Sequence, residues 1–160
     1  MTRTDPAAPE RPSTTVRVRF AETDQMGVAH HGSYVAWLEA ARVEWMRHRG
    51  LSYRAFEEGG LSMAVARLDL RYRAAARFDD EVAIACRLTA LKSRHAAFAY
   101  ELRLPDGREV ASAVTEHVPT DRTGRAVRLP AGWRDALASF LQDQAAYPRD
   151  RIGARRAAAR

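Results

Sequence analysis

Phe20-Ala-Glu-Thr-Asp24-Gln-Met-Gly27-Val28-Ala-His30-His31-Gly32-Ser33-Tyr34 places one carboxylate, a flexible glycine and two adjacent histidines directly ahead of a helix-like run. Asp24 is of the right type for a nucleophile or a general base. The helix start beside His31 and Gly32 supplies backbone N–H donors without intrahelical partners, and the positive end of the helix dipole. An oxygen nucleophile next to donors that can hold an oxyanion suits acyl transfer. Two blander readings compete with it. Asp24 can be a turn residue accepting a nearby backbone N–H, and His30 and His31 can be loop residues that serve geometry alone. No metal site is expected, because His48, His95 and His117 are scattered and Cys86 is the single cysteine. There is no Gly-x-Ser-x-Gly elbow and no Gly-rich phosphate loop.

The elements that must carry this loop are legible from periodicity. Val16, Val18 and Phe20 alternate with Arg17 and Arg19, which predicts a half-buried strand. From an N-cap candidate at Gly32-Ser33, the residues Tyr34, Trp37, Leu38, Ala41 and Trp45 recur at helical spacing until Gly50. Val35, Ala40, Val43 and Met46 widen that stripe, so the helix is expected to be covered over most of its circumference. Residues 52–58 suggest a further helical turn or two before Gly59-Gly60. The period then changes to two: Ala64, Ala66, Leu68, Leu70 and Tyr72 share a face, followed by Val82 to Leu88, Ala96 to Leu104, a Pro105-Asp106-Gly107 turn, and Val110 to Val118. Short links favour antiparallel pairing. Pro130 with Trp133, Leu137, Phe140 and Leu141 suggests a closing helix. The expectation is an α+β two-layer domain over 14–141 with one long central helix.

Outside it, 1–13 and 142–160 read as disordered tails. Half of the formal charge of +6 lies in the second, where five arginines stand against two aspartates for a net of +3. With no zinc-finger spacing and no basic-aromatic stacking pattern, nucleic acid is not an expected partner. No apolar run approaches the roughly 20 residues of a membrane span, and no signal peptide is apparent. A lone cysteine fits a reducing compartment, so a cytoplasmic location is expected.

Phe20-Ala-Glu-Thr-Asp24, Met26-Gly27-Val28, His31, Tyr34 and Glu39-Ala-Ala-Arg42, in this order of elements, resemble the hotdog-fold acyl-CoA thioesterases of the 4-hydroxybenzoyl-CoA thioesterase family, especially the short-chain branch associated with the Tol-Pal system. The resemblance implies a central helix wrapped by a five-stranded antiparallel sheet, and hydrolysis of an acyl-CoA to free acid and coenzyme A without metal or redox cofactor. It also implies homodimers, often paired into tetramers, with the site between subunits. It puts the catalytic acid on Asp24 and the oxyanion donor on the His31 backbone N–H. Gly27, Val28, Gly32 and Tyr34 become further substrate-binding positions, and Lys92, Ser93 and Arg94 hold the nucleotide end of coenzyme A. A related hotdog branch carries its acid on the central helix, which makes Glu39 a second catalytic candidate. Its ordinary reading is a helix acid paired with Arg42 or buried with a hydrogen-bond partner. Two alternatives stand beside the thioesterase. One is a non-catalytic module binding acyl-CoA or an acyl-carrier protein. The other is an enoyl-CoA hydratase, which would want an Asn between Asp and His, and the chain has no Asn.

Overall fold

The computed structural model describes residues 14–143. In order, they form β1 (Thr14–Arg17), a single 3-10 turn (Phe20–Glu22), α1 (Ser33–Arg47), α2 (Tyr53–Glu58), β2 (Leu61–Tyr72), β3 (Glu81–Lys92), β4 (His95–Arg103), β5 (Glu109–Asp121) and α3 (Ala131–Asp143). The expected tails lie outside the described residues, apart from two positions at the end of α3. All strand pairs are antiparallel, in the order β1-β3-β4-β5-β2. The central hairpins follow from local signals: Gly107 takes φ +83° and the Asp106 carboxylate accepts the Arg108 N–H at 2.9 Å.

The sheet curls around α1. Tyr34, Trp37, Leu38, Ala41, Trp45 and Met46 are buried against Val82, Ile84, Cys86 and Leu88 of β3 and Phe98, Tyr100 and Leu102 of β4. Trp45 meets Phe98 and, from α3, Phe140 edge-on, with ring centroids 5.5 and 5.7 Å away. Burial of this helix face against β3, β4 and α3 joins them in one apolar core.

Three expectations need correction. The first strand ends at Arg17, and Phe20, expected on its alternating face, lies exposed in the 3-10 turn. Coverage of α1 is incomplete, because Val35, Ala36, Glu39 and Ala40 are exposed along one flank. The inner face of β2 also differs from the predicted alternation. The register slips between Val65 and Arg67, so Val65 faces His117 and Leu68 faces Thr115, while Ala64 lies opposite Val118 on the other side of the sheet. The extra residue at Ala66 interrupts the period of two. Val65, Leu68 and Tyr72 remain substantially exposed on the inner side of this edge strand.

A polar cluster interrupts the apolar interior. His117 is fully buried; its Nε2 lies 2.7 Å from Thr115 Oγ1 and 3.4 Å from Arg42 Nη1, and Tyr100 OH lies 3.0 Å from the same Thr115 oxygen. Burial first, then the Arg42 charge, lowers the His117 pKa from an ordinary 6.5 to about 4. Because the folded value lies below the unfolded one, acidification protonates the unfolded chain first. The free energy of unfolding should fall as pH drops from about 6.5 to about 4, by about 3 kcal/mol from this residue. Denaturant titrations across that range should show the slope, and His117→Gln should flatten it.

Candidate active site

The loop between β1 and α1 is built around Glu22, a residue that spacing and motif did not single out. Its buried carboxylate accepts the Arg19 N–H at 2.8 Å, the Arg19 guanidinium at 2.7 Å and the Trp37 indole N–H at 3.0 Å. Its backbone carbonyl accepts the His30 N–H at 2.7 Å and the Ser33 hydroxyl at 3.0 Å. Burial alone would raise the Glu22 pKa, but the bonds from Arg19 and Trp37 outweigh it and hold the carboxylate below the usual range.

Within the segment that these bonds close, Asp24 sits at the head of a tight turn. Its N–H donates to the Val28 carbonyl and its own carbonyl accepts the Gly27 N–H, both at 2.9 Å. Gly27 takes φ +72°, and a Cβ there would meet only Arg77 Nη1, at 3.8 Å; the turn needs glycine for conformation and not for space. Asp24 Oδ1 accepts the Met26 N–H at 2.9 Å, as the bland reading requires. Oδ2 has no hydrogen-bond partner among the described residues, and Asp24 is only half-buried. One carboxylate therefore serves both purposes: an oxygen that fixes the turn and an oxygen open to chemistry.

The helix start is capped from behind. Gly32 occupies the N-cap position, and its N–H donates to His30 Nδ1 at 3.1 Å. The Ser33 N–H donates to the His30 carbonyl at 2.9 Å. The His30–His31 peptide is planar and trans, so its N–H points opposite to that carbonyl, outward from the helix end. The His31 N–H has no hydrogen-bond partner among the described residues. From β2, the Tyr72 hydroxyl donates to the His31 carbonyl at 2.9 Å, and its ring meets the buried Tyr34 edge-on at 5.1 Å. From the β2–β3 connection, the Ala76 carbonyl accepts the Ala29 N–H at 2.7 Å and the Arg77 guanidinium donates to the Gly27 carbonyl at 3.3 Å.

Asp24, Gly27, Val28, His31, Gly32 and Tyr34 are thus brought together at one end of the sheet. Glu39 lies seven residues beyond Gly32, roughly 10 Å along the helix at its usual rise. It is exposed on the open flank of α1 and forms no ion pair among the described residues; Arg42 turns inward to His117 instead. Lys92, Ser93 and Arg94 are exposed in the β3–β4 turn, where neither cation has an acidic partner among the described residues. They are far from Asp24. The loop meets the sheet where β3 begins, through the Val18 N–H donating to the Asp80 carbonyl at 2.9 Å. The turn lies at the other end of that strand, eleven residues from Glu81 to Lys92, or roughly 35 Å.

Residues 18–141 match the family described as the Thioesterase-like superfamily. The acyl-CoA thioester hydrolase YbgC of Escherichia coli is 36% identical over 83 residues, covering 52% of this chain and 62% of that relative. Among solved structures, a Thermus thermophilus protein, TT1821, superposes with a TM-score of 0.76 at 40% identity, over 79% of this chain and 97% of its own. The DHNA-CoA thioesterase of Staphylococcus aureus superposes at 0.78 with 27% identity, over 82% of this chain and 90% of that one. This chain has the hotdog fold, belongs to the thioesterase-like superfamily and is a thioester hydrolase.

Proposed function

We propose that this protein hydrolyses an acyl-CoA to the carboxylic acid and coenzyme A, with Asp24 as the catalytic carboxylate and the His31 N–H as the oxyanion donor. The observation that carries the reading is the pairing of an unengaged Asp24 oxygen with an outward-pointing, unpartnered N–H at a helix start. A thioester carbonyl has little resonance stabilisation, so an oxygen nucleophile and a preorganised donor are the main requirements. Two routes fit. Asp24 attacks the carbonyl carbon, expelling the coenzyme A thiolate and leaving a mixed anhydride that water then cleaves, or it takes a proton from a water that attacks directly. No step requires a metal or redox cofactor. The short-chain branch is supported by the Asp24, Gly27-Val28, His31 and Tyr34 pattern. The lone buried cysteine supports a reducing, cytoplasmic setting.

The separation of Lys92 and Arg94 from Asp24 within one chain supports a site shared between two subunits, if all three serve one coenzyme A. Among the described residues β2 pairs only with β5, and its residues Ala64 to Leu68 are exposed, so its outer edge suits pairing with a second copy. Two-fold antiparallel pairing of β2 with its counterpart reverses the partner's sheet. The β3–β4 turn lies at the Leu61 end of β2, and Asp24 and His31 lie at the Tyr72 end. In such a dimer, Lys92 and Arg94 of the partner subunit approach this chain's Asp24 loop, where their unpaired charges suit coenzyme A phosphates. A tetramer formed from two such dimers is compatible with this arrangement.

Asp24→Asn should lower kcat by about a thousandfold or more while leaving the thermal melt nearly unchanged, since the amide keeps the Met26 bond but can neither attack nor accept a proton. Glu39→Gln should change kcat by less than about tenfold. Release of coenzyme A thiol from a purified acyl-CoA checks both; near-normal release by the Asp24 variant would refute the assignment. Lys92→Ala/Arg94→Ala should raise KM for acyl-CoA far more than it lowers kcat, and should leave an acyl-pantetheine substrate unaffected. Mixing this double variant with Asp24→Asn under subunit exchange should restore part of the activity, and a fully active monomer in sedimentation would exclude the shared site.

A further inference from the structure

Proper aim of the His31 N–H depends on a chain of bonds that begins at a residue not expected to touch substrate. Glu22 lies two positions before Asp24 and is joined through its carbonyl to His30 N–H and to the Ser33 hydroxyl, at 2.7 and 3.0 Å. The first bond closes the loop and sets how far Asp24 stands from His31. The second holds Ser33, whose own N–H fixes the His30 carbonyl and with it the plane of the His30–His31 peptide. The Glu22 side chain then locks this backbone to α1, because Trp37, one turn into the helix, donates its indole N–H to Oε1. Both ends of the site are tied to one residue.

We propose that Glu22 is the positioning residue of the site, acting on catalysis through the His31 N–H and its separation from Asp24. This rests on the thioesterase reading above. Three donors converge on the two Glu22 oxygens: the Arg19 N–H, the Arg19 guanidinium and the Trp37 indole. An amide in place of the carboxylate turns one acceptor into a donor facing donors, so an isosteric change is enough to loosen the lock. Displacement of an oxyanion donor is felt in the transition state and much less in substrate binding.

The test is a kinetic cycle on the full chain with Glu22→Gln, Trp37→Phe and the double variant, using acyl-CoA and acyl-pantetheine substrates at a temperature where melts show each protein folded. Glu22→Gln should lower kcat by about tenfold or more with KM within about twofold, equally for both substrates. Trp37→Phe should lower kcat in the native background but little further in the Glu22→Gln background, because both changes release one lock, Glu22→Gln by setting an amide N–H against the Arg19 N–H and Trp37→Phe by removing the indole donor. A folded Glu22→Gln protein with kcat within twofold of the parent overturns the inference, as do independent, multiplying losses in the double variant. Should Glu22→Gln fail to fold, Trp37→Phe decides alone: an unchanged kcat refutes the lock and a lowered kcat at constant KM supports it. Absence of thiol release by the parent protein would instead refute the thioesterase reading itself.

Discussion

The packing of α1 into the concave sheet is the constraint on which everything else depends. A fifteen-residue helix carrying Trp37, Leu38, Ala41 and Trp45 on its inner face can be covered only by a sheet that bends around it. β3, β4 and β5 form that cover, and the hairpin links between them leave β1 and β2 as the two edges. The chain must then enter α1 from β1 and leave β2 for β3 at the same end of the sheet. That topology, more than any single residue, brings the Asp24 turn, the helix start, Tyr72 and the Ala76–Arg77 segment into one place.

The same constraint explains why the fold was largely legible in the sequence and where legibility stopped. Turn chemistry at Pro105-Asp106-Gly107, the stop at Gly50 and the alternation in β3 and β4 are local, and each agrees with the whole. The bulge at Ala66 is not local. It adjusts the register of β2 to β5, and nothing in Ala64-Val65-Ala66 distinguishes a strand with an extra residue from one without. Periodicity likewise revealed that α1 is apolar over most of its circumference but not what covers each part. Its Val35, Ala36 and Ala40 flank, hydrophobic in composition, is open in a single chain.

For the site, sequence proximity decided what could be read. Asp24, Gly27, His31 and Gly32 stand within nine residues, so a turn and a helix start could be recognised together. The bonds that hold them are of longer range. Trp37 reaches Glu22 across fifteen positions and Tyr72 reaches His31 across forty-one, and both contacts exist only once the sheet has closed on the helix. The acid two positions before Asp24 in the run Phe20-Ala-Glu-Thr-Asp24 was the one available hint at Glu22, and it does not say which neighbours that acid will meet. The distance between Lys92 and Asp24 also required the length and direction of β3, which a motif cannot supply.

Cys86 has a practical meaning beyond packing. It is the only cysteine in the sequence, and β3 turns it inward beneath α1, where 3% of its surface is accessible. A thiol released by thioester hydrolysis cannot reach it in the native fold, so the folded protein is insulated from mixed-disulfide formation with such a product. For the same reason, colour developed by a thiol-reactive dye over native protein measures released product with no protein background, and a slow rise in dye uptake without substrate reports unfolding of the β3 layer.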